Sequence, residues 1–285
     1  GGGGVDTIYG DGGSDNIKGG GGIDTIYGGA GSDFIQGGKG DDIIYGGDNG
    51  VDEYGNIMGD TVMYKGNYAD YEITDGTGTV DGVSVTSIKV SHTEASGDGE
   101  DTLYNVENLQ FGDKHVRIGT EVYTNYDSDG VATSSSHRGS ILSDTITGTS
   151  ISDHIEGDAG ADILSGGSGA DYIVGGAGND TIDGGANGLD PWGNPGEDVA
   201  SYSGPSANYT ITHYTSSGAE ASSYQKTGYF TVKDALTDAQ GGEGTDTLKK
   251  IERVDFSDKS ISFAVNNSFI DLDGDGFPDM GSFKG

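Results

Sequence analysis

Large aliphatic residues recur every nine positions in two stretches of the chain, each two residues after an aspartate. A run of small residues, mostly glycine, comes before the aspartate, and a triplet such as Thr-Ile-Tyr (7–9) follows it. Glycine-rich runs favour turns, and a triplet with one inward aliphatic residue suits a short strand. The pattern predicts two arrays of short strands whose inner residues are Ile8, Ile17, Ile26, Ile35 and Ile44, then Ile146, Ile155, Leu164, Ile173 and Ile182.

Between and after the arrays the pattern also favours strands. Segments such as YEIT (71–74), SVTSIKVS (84–91) and GYFTVKD (228–234) are rich in β-branched and aromatic residues. No stretch sustains the 3.6-residue period of an amphipathic helix, so the helix content should be very low. The sequence therefore predicts an all-β protein.

Composition then restricts the partners. The chain has 56 glycines, 47 acidic and 14 basic residues, no cysteine and a net charge of −33. This charge argues against nucleic-acid binding, and the absence of cysteine excludes disulfides and zinc–thiolate sites. No run of about 20 apolar residues predicts a membrane span. High charge is also typical of disorder, but sixteen tyrosines and eight phenylalanines can form a core, and Asp with Gly favours turns and metal loops.

The repeated frames resemble the nonapeptide GGxGxDxUx of the RTX family. Good examples are GGGGIDTIY (19–27) and GGSGADYIV (166–174). The resemblance implies parallel β-rolls that bind calcium, with two frames in each 18-residue coil. The frames around Asp144 and Asp153 lack the leading glycine pair, which predicts an atypical first coil that caps the second roll.

Stacked coils would pair aspartates 18 positions apart, as in Asp6 with Asp24 and Asp144 with Asp162. Stacked carboxylates about 5 Å apart repel each other unless a cation lies between them, and Ca²⁺ accepts carboxylate and carbonyl oxygens. We expect roughly six to twelve Ca²⁺ ions, held by the carboxylates of Asp6, Asp15, Asp24, Asp33, Asp42, Asp60, Asp144, Asp153, Asp162, Asp171, Asp180 and Asp198. The family resemblance adds carbonyl oxygens of Gly2, Gly4, Gly19, Gly20, Gly21, Gly22, Gly28, Gly29, Gly31, Gly37, Gly157, Gly160, Gly166, Gly167, Gly169, Gly175, Gly176 and Gly178.

A longer repeat divides the chain into two copies, about 1–139 and 140–285, because a shift of 138 residues maps Asp6 onto Asp144 and Asp42 onto Asp180. The segment after each array resembles the extension that follows RTX arrays in serralysin-type proteins, which implies a small β-domain that caps the roll. The predicted domains are roll 1 at 1–64 with an inserted loop at 48–59, cap 1 at 65–119, a linker at 120–139, roll 2 at 140–202 with an inserted loop at 186–197, cap 2 at 203–265, and a calcium loop with the C-terminal end at 266–285.

Further calcium loops are predicted outside the arrays. The segment DLDGDGFPD resembles the first half of an EF-hand loop, with Asp271, Asp273, Asp275 and Asp279 as ligands, although the glutamate of position 12 is missing. Its counterpart offers Asn125, Asp127 and Asp129, and an ordinary polar turn is the alternative for both. The inserted loops add Asn49, Asp52, Asn187 and Asp190 as weaker candidates.

Catalysis is not expected from this chain, because the five histidines are scattered and no HExxH, GxSxG or Walker motif is present. Tyr9, Tyr27 and Tyr45 occupy the last position of alternate frames and should stack on one outer face of the first roll. This stripe suits either packing and edge support or the binding of a sugar or a peptide. Trp192, in the second inserted loop, is a further ligand candidate.

The first functional hypothesis is a calcium-folded structural or extender module of a large bacterial protein, such as an adhesin. The family resemblance implies export by the type I secretion machinery, and a secreted or cell-surface location. The first alternative is the non-catalytic C-terminal region of a secreted enzyme, such as a serralysin-type protease, a lipase or an alginate epimerase. The second alternative is a calcium-dependent module that binds a glycan or a peptide.

Overall fold

A computed structural model describes residues 1–51, 57–80, 83–93, 97–126, 128–129, 131–188, 196–220, 228–237 and 240–263 of the chain. Strands dominate this described part, which also contains short 3-10 turns such as Tyr68–Asp70 and Ser206–Asn208. The all-β prediction is therefore confirmed. Contacts divide the chain into two units, Gly1–Glu121 and Val122–Gly285.

In the first unit, successive frames of the array alternate between two parallel sheets. Ile26 pairs in register with Ile8 and Ile44, which lie 18 residues before and after it. One sheet has the order β1-β3-β5-β10-β9-β8 with β6 beside β5, and the other has the order β12-β11-β7-β4-β2. The strands are β1 (Thr7–Tyr9), β2 (Asn16–Gly21), β3 (Thr25–Gly31), β4 (Phe34–Lys39), β5 (Ile43–Val51), β6 (Ile57–Met58), β7 (Thr61–Met63), β8 (Tyr71–Val80), β9 (Val83–His92), β10 (Glu100–Tyr104), β11 (Asn108–Gln110) and β12 (His115–Arg117).

The core of the first roll is the double column of inner aliphatic residues. Ile26, Ile35 and Ile44 are fully buried, and Ile17 is 6% exposed, whereas Ile8 in the edge coil is half-buried. Each buried aliphatic side chain contributes roughly 1.5–3 kcal/mol by leaving water. Val62, Leu103 and Leu109 extend the same columns.

The cap of the first roll continues its two sheets and adds no separate layer. β10 and β11 join the roll in parallel. Antiparallel pairing follows, of β9 with β10 and with β8 in one sheet and of β12 with β11 in the other. The extension predicted at 65–119 therefore contributes one more coil before it caps the end. A cluster of Tyr64, Tyr71 and Phe111 packs beside this last coil, with ring centroids 5.0–5.4 Å apart.

The second unit repeats this architecture. Its sheets have the orders β13-β14-β16-β19-β22-β26-β27 and β15-β17-β20-β25-β24-β23, with a small third sheet of β18 and β21. The strands are β13 (Glu121–Tyr126), β14 (Ala132–Ser140), β15 (Thr145–Thr147), β16 (Asp153–Asp158), β17 (Ile163–Ser165), β18 (Ser168–Gly169), β19 (Tyr172–Val174), β20 (Thr181–Asp183), β21 (Ala186–Asn187), β22 (Val199–Ser201), β23 (Tyr209–Thr215), β24 (Gly228–Asp234), β25 (Thr245–Lys249), β26 (Arg253–Asp255) and β27 (Ser260–Ser262).

One segment differs from its sequence interpretation. Residues 120–139, predicted as a linker, contain β13 and most of β14, and β14 pairs in parallel with β16. Ser135 lies opposite Asp153 and His137 opposite Ile155, so β14 has the register of a further coil strand. The sequence hides this role because a serine stands at the aspartate position and a buried histidine at the inner aliphatic position.

Candidate metal centre

Two columns of stacked aspartates run along each roll. Within the arrays, the backbone N–H of an aspartate donates to Oδ1 of the aspartate one coil later, at 2.8–2.9 Å for Asp24 to Asp42 and Asp162 to Asp180. The insertion before Asp60 and before Asp198 lengthens this step to 27 residues without breaking the column. The pairs predicted from the sequence, Asp6–Asp24, Asp15–Asp33, Asp24–Asp42, Asp144–Asp162, Asp153–Asp171 and Asp162–Asp180, all stack in this way.

The second carboxylate oxygen, Oδ2, is buried and without a hydrogen-bond partner in most of these residues. Buried polar atoms in folded proteins are nearly always paired, and each one left alone costs free energy. A regular series of such atoms indicates a missing positively charged partner. The nine residues concerned are Asp15, Asp24, Asp33, Asp42, Asp60, Asp162, Asp171, Asp180 and Asp198.

Carbonyl oxygens from the neighbouring coil approach the same points. A Cβ atom on Gly19 would lie 2.5 Å from Asp24 Oδ2 and 2.5 Å from the Gly37 carbonyl oxygen, and Gly28 stands equally close to Asp33 Oδ2 and the Gly46 carbonyl. The first residue of each frame must therefore be glycine, because two oxygens converge where its side chain would be. The predicted carbonyls of Gly19, Gly28, Gly37, Gly157, Gly166 and Gly175 all lie at such points.

Other predicted glycines serve the turn geometry. Gly20 and Gly22 have φ angles of +123° and +122°, and carbonyl oxygens of Gly2 and Gly4 occupy the space of a Cβ. Only glycine takes this conformation without strain. Some predicted carbonyls already accept backbone hydrogen bonds within the stack, namely those of Gly2, Gly21, Gly167 and Gly169. Positive φ is shared by Gly4, Gly29, Gly31, Gly160, Gly167, Gly169, Gly176 and Gly178.

Burial raises the pKa of five of the stacked array carboxyls to about 6 or 7. The pKa rises to about 6 for Asp42 and Asp171, and to about 7 for Asp60, Asp162 and Asp198. Desolvation is the main cause and nearby carboxylates add to it, while the donated backbone N–H lowers the pKa in each case. Without a cation, these five carboxyls therefore ionise less readily than an exposed aspartate.

The donor set fits Ca²⁺. Carboxylate and carbonyl oxygens are the ligands that hard cations such as Ca²⁺ prefer, and six to eight of them are typical. Within the described ranges, no group of three or more Asp, Glu or His side chains could hold a metal on its own. An ion in these columns therefore needs the turn carbonyls as well as the aspartates.

Three of the predicted ligands differ from the other nine. Oδ2 of Asp6 accepts a hydrogen bond from the Gly2 amide at 3.0 Å. Asp144 and Asp153 accept both an amide and a hydroxyl, from Ser140 and Thr149 respectively. These three carboxylates are paired within the protein.

Sequence reasoning missed the last member of each column. Asp42 donates its N–H to Asp101 and Asp60 donates to Glu107, at 2.9 and 2.8 Å. In the second roll, Asp246 and Glu252 have the same roles. The motif DTLY (101–104) nearly repeats DTIY (6–9), and this similarity was the available signal.

The remaining predicted ligands lie elsewhere. Asn49 and Asn187 are exposed, and Asn187 Nδ2 donates to the Gly196 carbonyl at 2.6 Å. Asn125 donates to Ser134 Oγ at 3.1 Å within the β13–β14 hairpin, and Asp129 is exposed in its turn. The predictions for Asp52, Asp127, Asp190, Asp271, Asp273, Asp275 and Asp279 fall outside the described residues, as does Trp192.

The tyrosine stripe is confirmed on the first roll. Tyr9, Tyr27 and Tyr45 stack nearly parallel, with ring centroids 4.8–4.9 Å apart, and Tyr104 continues the stack at 4.8 Å. Because the faces cover one another, the stripe presents mainly ring edges and hydroxyl groups.

In the part of the chain that is described, no helix is long and apolar enough to cross a membrane.

Comparisons with known proteins agree with this geometry. The family model of the RTX calcium-binding nonapeptide repeat matches four segments, residues 1–26, 18–49, 138–173 and 165–187. No curated protein matched the chain.

Solved structures similar to the chain include the AlgE6R3 subunit of a mannuronan C5-epimerase from Azotobacter vinelandii, with 23% identity over 50% of this chain and 92% of that one, and a TM-score of 0.24. The extracellular lipase LipA from Serratia marcescens matches with 15% identity over 80% of this chain and 36% of that one, and a TM-score of 0.20. From the matched family and the stacked frames, both arrays of this chain are RTX calcium-binding nonapeptide repeats.

Proposed function

We propose that the chain is a calcium-folded structural module, an extender of a large bacterial protein that is exported by type I secretion and displayed on or released from the cell. The observation that carries this proposal is the set of nine buried, unpaired carboxylate oxygens in the stacked columns. Such atoms are expected where a cation completes the fold.

Charge explains why folding would depend on calcium. The chain carries a net charge of −33, and repulsion between its carboxylates opposes compaction. Ions bound only in the folded state would add their binding free energy to folding. RTX repeats are typical of secreted proteins, which meet calcium at the concentrations that loops of modest affinity require.

The extender role is supported by the duplication. Each unit contains its own roll and its own antiparallel cap, so each one closes its own growing end. A protein built from such units gains length by repetition, as solenoid proteins do. We propose no catalytic role for the chain, and any catalysis would belong to another part of the parent protein.

Circular dichroism and size-exclusion chromatography would test the proposal, first in EDTA and then through a Ca²⁺ titration, with equal Mg²⁺ as the control. We expect a cooperative gain of β signal and a smaller hydrodynamic radius with Ca²⁺ only. A compact β protein in EDTA that ignores added Ca²⁺ would contradict the proposal.

A matched pair of variants would locate the effect. Asp42→Asn removes one charge at an unpaired buried carboxylate, whereas Asp41→Asn removes the same charge at an exposed neighbour. We expect Asp42→Asn to raise the calcium midpoint about tenfold and Asp41→Asn to leave it within about twofold, because ligand charge sets the affinity of calcium sites. Equal shifts in both variants would mean that net charge alone controls folding.

A further inference from the structure

The twelve array frames differ in the backbone conformation of their second residue. In nine frames this residue has a positive φ, and in the same nine frames Oδ2 of the aspartate is buried without a partner. Seven of the nine second residues are glycines, and two are aspartates with φ of +72° and +71°. These second residues are Asp11, Gly20, Gly29, Gly38, Gly47, Asp158, Gly167, Gly176 and Gly185.

In the other three frames the second residue does not take a positive φ. It is Gly2, Ser140 or Thr149, and its amide N–H then points at the aspartate of its own frame. The amide donates to Oδ2 at 3.0 Å for Gly2 and at 2.6 Å for Ser140 and Thr149. We call a frame open when Oδ2 of its aspartate is buried without a partner, and closed when the amide of the second residue donates to it. The conformation of the second residue therefore correlates with whether the frame is open or closed.

Side chains reinforce the closed arrangement in the second roll. The Ser140 hydroxyl donates to Asp144 Oδ2 at 2.8 Å, and the Thr149 hydroxyl lies 3.1 Å from both oxygens of Asp153. Ser135 Oγ donates to Asp153 Oδ1 from the preceding strand β14. Each closed carboxylate thus receives hydrogens from several donors at the oxygen that stays unpaired in the open frames.

In the second roll, residue type also favours the closed conformation. Bulky and β-branched residues avoid positive φ, which glycine adopts readily. The fourth frame position is Leu142 or Ile151 in the two closed frames of the second roll, whereas matched frames have glycines such as Gly160 and Gly169 with positive φ. Leu142 in one frame, and Thr149 with Ile151 in the other, therefore disfavour the open turn.

We propose that the first coil of the second roll, residues 139–156, is closed to calcium and forms without it, as a starting edge on which the calcium-bound coils assemble. Amide and hydroxyl hydrogens directed at Asp144 and Asp153 occupy the lone pairs that a cation would need, and they carry the same sign of charge. Hydroxyl donors thus replace the ion in this coil. The inference rests on the proposed binding of calcium at the open frames.

The starting-edge role follows from the order of the strands. β14 pairs with β16 over five residue pairs, and β16 then pairs with β19 of the next coil. The Ser135–Asp153 contact links β14 to the closed coil without a metal. Because this coil is ordered without a metal, its strands are available for pairing with the frames that follow. One side of the next cation site would therefore already be in place before the ion binds.

Counting bound ions in the full chain would test the inference. The double variant Thr149→Gly/Ile151→Gly gives the frame at 148–153 the glycines of an open frame, and Thr149→Ser is the control that retains a hydroxyl. Native mass spectrometry in saturating Ca²⁺ should show about one ion more in the double variant than in the unmodified chain, with no change in the control. An unchanged count in the double variant would overturn closure by the turn.

Hydrogen exchange in EDTA provides a second measurement that does not depend on a substitution. Amides of residues 139–156 should exchange about tenfold more slowly than those of 166–183, because only the first segment lacks open carboxylates. Equal exchange rates would overturn the calcium-independent coil. If the unmodified chain binds no calcium at all, the proposed function fails, whereas calcium binding with unchanged counts and equal exchange refutes this inference alone.

Discussion

The inner position of each frame holds a single aliphatic side chain against its neighbours in the coils above and below. Leu164 is 1% exposed there, whereas the adjacent Ile163 points outward and is 55% exposed. Consecutive residues of one strand thus have opposite environments. Substitutions at these two positions therefore distinguish the contribution of core packing from that of the β-propensity of the strand.

Leu164→Ala should destabilise the calcium-loaded protein by about 2–5 kcal/mol, because it removes buried methyl groups and leaves a cavity. Ile163→Ala, in the same strand, should change stability by less than about 1 kcal/mol. Urea denaturation in saturating Ca²⁺ measures both. Similar losses for the two variants would contradict the assignment of the inner face.

Some residues could be predicted from the sequence and others could not. The inner aliphatic columns, the stacked aspartate pairs and the tyrosine stack follow from the 18-residue register that the family resemblance implies. His137 and Ser135 escaped prediction because they break the residue pattern while β14 keeps the backbone pairing. Closure of Asp144 and Asp153 was equally hidden, since it depends on the φ angle of a neighbouring residue.

At the scale of elements, the last turn of each roll is shorter than the others. In a regular frame, the turn has six residues, from the first residue of the frame to its aspartate. The final turn has three, namely Asn105, Val106 and Glu107. Glu107 still reaches the Asp60 amide because its side chain is one methylene longer than that of aspartate. The second roll uses Lys250, Ile251 and Glu252 in the same way. The nine-residue spacing does not extend to this turn, so sequence reasoning missed Glu107 and Glu252. Asp101 and Asp246 were missed because they lie 59 and 66 residues after Asp42 and Asp180.

Glu107→Asp should leave the Asp60 N–H without its acceptor and destabilise the calcium-loaded protein by about 1–3 kcal/mol. Glu107→Gln keeps the length and an acceptor oxygen, so it should cost much less. Thermal or urea denaturation would compare the two variants. A larger loss for Glu107→Gln would show that the charge of Glu107 matters more than its reach.

The tyrosine stack is a second element-scale feature that can be tested. Tyr27 lies between Tyr9 and Tyr45, so Tyr27→Ser should interrupt the stack and reduce the near-ultraviolet circular dichroism that appears with Ca²⁺. Tyr27→Phe retains a ring and should preserve the stack. A spectrum unchanged by Tyr27→Ser would indicate that the rings do not interact in solution.

At the scale of the whole molecule, protons and calcium ions should compete for the same buried carboxyl groups. Carboxyls such as Asp60 and Asp198, with pKa values raised to about 7, favour the calcium-free fold when they are protonated. Their contribution is fully present below the ordinary aspartate pKa of about 4, and it is lost as the pH rises through about 6 to 8. Asp101 and Asp246, with pKa values raised to about 8, extend this window.

In calcium-free buffer a larger fraction of the chain should therefore be folded at pH 5 than at pH 8, as measured by circular dichroism. In limiting Ca²⁺ the order should reverse, because protons compete with the ion for the same oxygens. Greater stability at pH 8 than at pH 5 without calcium would contradict the raised pKa values.

The common register of the parallel strands has a genetic consequence. Thr25 lies opposite Thr7 and Ile43, so the gain or loss of 18 residues within the array leaves each remaining side chain in its column. A change of nine residues instead moves every later frame to the opposite sheet, so the later tyrosines would no longer stack on the earlier ones. Recombination between repeats can thus alter the length of a roll in whole coils, whereas a half-coil change disrupts the columns.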